Sequence, residues 1–133
     1  MRSLAREIVL KELFAKLFNP DDEEFFAVLL KDEKLSESDK EFARSLLGFI
    51  DVRKEEYLNK IEELSLRYKL NRIYNLDKCA IMIGMAELDN MKETDVPVII
   101  DEAVKLVSRF SSEKSTDFVN GILASYSREV RNG

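Results

Sequence analysis

Side-chain catalysis needs paired groups at defined spacing, and this sequence offers few. Its 133 residues include no histidine, which removes the commonest general base and metal ligand. A single cysteine, Cys79, rules out an intrachain disulfide and a cysteine-rich zinc site. In its apolar surroundings Cys79 reads as a small buried hydrophobe. Glu62-Glu63 and the acidic run Asp21 to Glu24 gather carboxylates. Neighbouring helix positions point apart, however, so these are solvated surface. No Gly-rich phosphate loop exists, and no serine or cysteine can pair with an imidazole. A ferritin-like di-iron bundle needs Glu-x-x-His motifs and fails for the same reason. No metal or cofactor is implied. The residues point to binding, with a helical enzyme of carboxylate chemistry as the weakest alternative.

The charge pattern narrows what is bound. The formal net charge is −5, which taken whole argues against a nucleic-acid partner. Its distribution is uneven. Residues 1–18 carry four bases against two acids, residues 19–41 carry nine acids against three lysines, and the remainder is nearly neutral. The acidity is thus concentrated in one stretch, and the start of the chain is mildly basic. No run approaches 18 apolar residues and the N-terminus lacks a signal-peptide pattern, so the reducing cytosol is the expected compartment.

The elements that must position these side chains are helices, because apolar spacing is helical nearly everywhere. Leu10, Leu13, Phe14, Leu17 and Phe18 predict a first helix from about Ser3 to Phe18. Asn19 as N-cap, Pro20 at the first helical position and acids from Asp21 to Glu24 predict a second, with Phe25, Phe26, Leu29 and Leu30 on its buried side. A long helix starts at Ser36 or Ser38 and carries a stripe through Phe42, Leu46, Ile50, Tyr57, Ile61 and Tyr68, with a break expected within the polar run 51–56. From Asn75 to about Met91 the chain includes eight consecutive apolar residues, Cys79 to Ala86. A helix without a polar side is surrounded by neighbours, so this one should be central. Gly84 within it marks close approach of another helix. Asp95 and Pro97 begin the next helix, and Glu113 to Arg131 forms the last. The expected fold is all-α, one domain over residues 1–133, with six to seven helices and no strand.

Three stretches, in order and over nearly the whole chain, resemble the NusB family of bacterial transcription antitermination factors. Ala5-Arg6-Glu7 leading to Leu13-Phe14 is similar to the family's N-terminal motif. Leu70 to Ile73 and Leu76 to Leu88 resemble its central helix with the Glu-Leu ending. Asp95-Val96-Pro97, Asp101 to Val104, Phe110 and the block Phe118-Val119-Asn120-Gly121-Ile122-Leu123 match its last two helices. The resemblance implies two packed three-helix subdomains. It also implies a non-catalytic role, in which NusB-like proteins pair with the small-subunit ribosomal protein NusE. The pair binds single-stranded boxA RNA and joins the RNA polymerase antitermination complex on ribosomal RNA operons. NusB-like domains also begin some RNA cytosine methyltransferases, but this chain has no room for a catalytic domain.

The family's RNA contacts carry over to Arg6, Lys114, Ser115, Phe118 and Asn120, and its partner contacts to Phe14 and Asp77. Arg2 joins the RNA set physically, because it lies one helical turn from Arg6 and the two can face one strand. Phe118 and Asn120 begin the last helix, where free backbone N–H groups favour a phosphate. There are departures from the family. The arginine-rich start is reduced, Asp117 stands where lysine is frequent, Lys114 where aspartate is frequent, and Ser111 where glycine is usual. Met82 and Ala86 replace an arginine and a tyrosine. Each lost cation removes about 0.7 from the salt slope for single strands. Affinity for boxA RNA should therefore depend on the partner. The alternative is a NusB-fold protein-interaction module whose RNA face has degenerated.

Overall fold

A central helix organises the molecule. In this computed structural model, which describes residues 2–66 and 68–131, α4 spans Asn75–Asn90, and every residue from Cys79 to Leu88 is buried. Around it pack α1 (Arg2–Lys16), α3 (Glu37–Leu64), α5 (Val96–Phe110) and α6 (Ser115–Val130), while the short α2 (Phe25–Leu29) covers α1. A 3₁₀ turn at Leu70–Arg72 joins α3 to α4. Helices α1 to α3 and α4 to α6 form the two three-helix halves, and no strand occurs among the described residues. No helix of the described residues is long and apolar enough to cross a membrane.

Gly84 marks the tightest approach. A Cβ placed on it would lie 2.6 and 2.8 Å from the two methyl carbons of buried Leu123 on α6. Contacts fix the helix directions. Ser115 meets Asp77 at one end of the α4/α6 pair, and Arg131 meets Leu88 and Met91 at the other, so α4 and α6 run parallel. Ser3 touches Glu102, Glu7 touches Arg109, and Lys11 lies over Phe110, so α1 and α5 run parallel as well. The short connection from α4 to α5 reverses the chain, and α1 is therefore antiparallel to α4.

Helix ends follow the polar residues. Ser36 caps α3: its Oγ accepts from the Asp39 N–H at 3.0 Å, and Asp39 accepts from the Ser36 N–H, a reciprocal capping box. Within α3 the expected break falls at Arg53, whose φ and ψ of −115° and 17° leave the helix. There Arg53 and Tyr57 both reach Asp89 on α4, at 2.8 and 2.7 Å. Tyr126 of α6 donates to the same carboxylate at 2.9 Å, so one acid ties three helices. Arg131 ties the C-terminal end of α4 to the turn that follows it, donating to the carbonyls of Leu88 and Glu87 in the last helical turn and of Met91 and Thr94 just beyond it.

Two sequence expectations fail here. Asn19 does not cap α2. Lys16 donates to the Pro20 and Asp22 carbonyls, holding residues 17–24 as turns, and Asp22 then accepts from the N–H groups of Glu24 and Phe25. Tyr68 does not extend the α3 stripe. The helix stops at Leu64, where the Ser65 hydroxyl bonds the Tyr68 backbone in both directions and turns the chain away.

Candidate nucleic-acid interface

The N-termini of α4 and α6 lie side by side, tied by one buried bond. The Ser115 hydroxyl donates to Asp77 Oδ2 at 2.7 Å, and both residues are buried. Helix N-termini present free N–H groups and positive dipole ends, so two together favour an anion. Around this point Tyr68, Arg72, Ile73, Tyr74, Lys114 and Phe118 join Asp77 and Ser115 in lining a pocket of about 250 Å³. Tyr68 and Phe118 meet edge to face with ring centroids 6.1 Å apart, and both also line a neighbouring groove of about 240 Å³ with Leu66 and Gly121. They form an aromatic ridge between two hollows. Tyr74 is 65% exposed, and Arg72 and Lys114 are exposed. Splayed bases stack on faces of this kind while cations hold their phosphates.

The residues expected to form one RNA cradle are divided among several places. Lys114, Ser115 and Phe118 converge on the pocket just described. Asn120 is exposed but lies on the other side of α6, in a groove shared with Val96, Pro97 and Ile100 of α5. Arg6 does not face a strand with Arg2. It is 4% exposed, and its Nε and Nη2 donate to the two oxygens of Glu87 at 2.8 Å each, with Glu102 at 3.8 Å. Burial acts against the Arg6 charge, but the hydrogen bonds to Glu87 and the two nearby carboxylates hold its pKa above the usual guanidinium value. Its charge is thus neutralised inside the protein. Arg2 is exposed, with its guanidinium 4.4 Å from the Phe42 ring centroid. Glu87 and Asp77 lie ten residues apart on α4, so the Arg6 and Ser115 ends are separated by about 15 Å.

The two partner positions also differ from each other. Phe14 is half-buried and packs edge to face on Phe18 at 5.2 Å, next to exposed Leu17. This end of α1 keeps apolar surface open. Asp77 is buried and turned toward Ser115 and the pocket, so it presents no flat acidic surface for a partner to meet.

Sequence reasoning missed Arg72, Tyr68 and Tyr74 as lining residues of this pocket. Aromatic residues between Ser65 and Asn75, a stretch without helical spacing, were the available signal. No cluster of His, Cys, Asp and Glu suited to a metal occurs among the described residues.

Comparison with known proteins decides the family. The model of the NusB family matches residues 3–128. This chain belongs to the NusB family. The transcription antitermination protein NusB of Alkaliphilus oremlandii (strain OhILAs) is 34% identical over 126 residues, covering 94% of this chain and 91% of its own length. NusB of a Nitratiruptor species is 30% identical over 138 aligned positions, covering 99% and 95%. Among solved structures, T. maritima NusB superposes with a TM-score of 0.88 at 30% identity, over 97% of this chain and 92% of that one. The antitermination factors NusB and NusE in complex with dsRNA give a TM-score of 0.84 at 23% identity, over 96% of each chain, a likeness of fold. The all-helical NusB fold is therefore common to this chain and to solved members across nearly their whole lengths.

Proposed function

We propose that this NusB-family chain is a transcription antitermination factor that binds single-stranded boxA RNA together with the ribosomal protein NusE. It acts on ribosomal RNA operons within the RNA polymerase antitermination complex, in the cytoplasm, as an adaptor and not an enzyme. One observation carries the reading beyond family membership. At the joined N-termini of α4 and α6, three aromatic rings and two exposed cations, Arg72 and Lys114, surround one pocket on a chain whose net charge is −5. The RNA residues are Lys114, Ser115 and Phe118, with Arg2 and Asn120 as outlying contacts and Arg6 as the buried support of α1. NusE docks on the apolar end of α1 at Phe14, with Phe18 and Leu17 beside it.

The burial of Arg6 favours a second reading, a NusB-fold protein-interaction module with a degenerate RNA face, because it leaves Arg72 and Lys114 as the cations lining the pocket. Filter-binding titration with boxA-type RNA, with and without NusE, separates the two. A sharp rise in affinity on adding NusE supports the first reading. Equal affinity with and without NusE contradicts the predicted dependence on the partner, and RNA binding in neither condition leaves the second reading.

A further inference from the structure

Asp77 is only 4% exposed, and its two oxygens are used unequally. Oδ2 accepts the Ser115 hydroxyl at 2.7 Å, whereas Oδ1 has no hydrogen-bond partner among the described residues. A buried carboxylate oxygen left unpaired is costly, and such groups call for a reason. The pocket supplies one. Asp77 contributes to its wall, the rings of Tyr68, Tyr74 and Phe118 form apolar sides, and the cations Arg72 and Lys114 complete the lining. At about 250 Å³ it lies just below the usual range for small-molecule sites and suits one planar group.

We propose that this pocket receives one unstacked guanine of a single-stranded RNA, with Asp77 as the acceptor that reads it. The inference rests on the RNA-binding reading above and adds a base preference to it. An ionised carboxylate only accepts, so the occupant must donate. An arginine or lysine from a protein partner would donate too, but it would meet Arg72 and Lys114 in the same pocket. A nucleotide satisfies all three kinds of lining group: its donor edge meets Asp77, its ring stacks on the aromatics, and its phosphate meets the cations. Among the bases, guanine presents N1–H and the N2 amine side by side, matching Oδ1 and the second lone pair of Oδ2. Adenine and cytosine offer one amine beside a ring acceptor that faces the carboxylate. Uracil places its single N–H between two carbonyls. The expected order is guanine, then adenine and cytosine, then uracil.

The test uses the full chain and fluorescently labelled 11-residue oligouridines carrying one central G, A, C, U or inosine, titrated by anisotropy. Uniform flanks let the odd base find the pocket in any register. The G oligomer should bind on the order of tenfold more tightly than the all-U oligomer, with inosine, which lacks the N2 amine, in between. Asp77→Asn, with its melting temperature measured in parallel, should flatten the series, because the amide replaces one acceptor with a donor. Tyr74→Ala, at an exposed ring, should weaken all five oligomers together. Equal binding of all five oligomers by the wild-type chain overturns the inference without needing any variant. If boxA-type RNA still binds in that case, the RNA reading survives and only the guanine pocket fails. If neither boxA RNA nor any oligomer binds, with NusE present or absent, both fail. Loss of NusE binding in Asp77→Asn with the base series unchanged would assign the pocket to the protein partner and also overturn the inference.

Discussion

Replacing Arg6 with alanine should damage the fold far more than the RNA site. Arg6 and Glu87 are 4% and 1% exposed and share two 2.8 Å charge-assisted bonds, and their sequence separation of 81 residues ties α1 to the central helix. Arg6→Ala leaves Glu87 buried with its partner gone, and removal of one member of such a pair costs about 3–5 kcal/mol. Against a total stability of about 5–15 kcal/mol, this is a large fraction. With a urea slope of about 2 kcal/mol/M, the unfolding midpoint should fall by about 2 M. Urea denaturation followed by circular dichroism measures it, with RNA affinity taken on the same samples under conditions where each remains folded. Arg2→Ala is the contrasting change. Arg2 is exposed, so stability should move by no more than about 1 kcal/mol, the loss of its contact with Phe42. A midpoint shift below about 0.5 M in Arg6→Ala together with a large loss of RNA affinity would refute the reasoning, since the guanidinium would then face solvent.

Further outcomes follow from the same geometry. Arg131→Ala removes a guanidinium that donates to four carbonyls in the last turn of α4 and the turn after it, and should cost about 1.5–3 kcal/mol in chemical denaturation. Gly84→Val should destabilise by about 1–3 kcal/mol or more, because Leu123 already fills the space its side chain would need; an unchanged melting temperature would contradict the close approach. Burial raises the Glu12 pKa above the ordinary carboxylate value, with Lys16 acting in the opposite direction. The folded state therefore prefers Glu12 protonated, and stability is lost as pH rises from the unfolded value of about 4.3 through the folded one. Glu12→Gln should accordingly raise the melting temperature at pH 7, and the gain should fade below about pH 4. Burial pushes the Cys79 thiol up to about 11. A thiol reagent at pH 8 should modify it only as fast as the protein unfolds, and rapid labelling of the native protein would contradict its burial.

Local signals gave the regular parts of this fold, and tertiary contacts decided the rest. The start of α3 at Ser36 or Ser38, the break in the polar run after Asp51 and the central apolar helix follow from residue types a few positions apart. The start of α2 did not, because Lys16, from the preceding helix, outweighs the capping preference of Asn19 by donating to two carbonyls of the turn. Part of the candidate site was legible: Lys114, Ser115 and Phe118 do converge. Arg6 was misread as an exposed cation because nothing near it in sequence reveals Glu87, which reaches it only when α1 packs on α4. Tyr68, Arg72 and Tyr74 went unrecognised because they lie in an irregular connection, where no periodicity tells which side chains share a face.

Hydrogen exchange on the chain bound to boxA-type RNA and NusE tests the central claim most directly. The predicted result is protection gained on RNA addition at residues 68–77 and 114–118, with separate NusE-dependent protection at the end of α1 around Phe14 and Phe18. RNA-dependent protection confined to other surfaces, with the α4 and α6 N-termini unchanged, would contradict it.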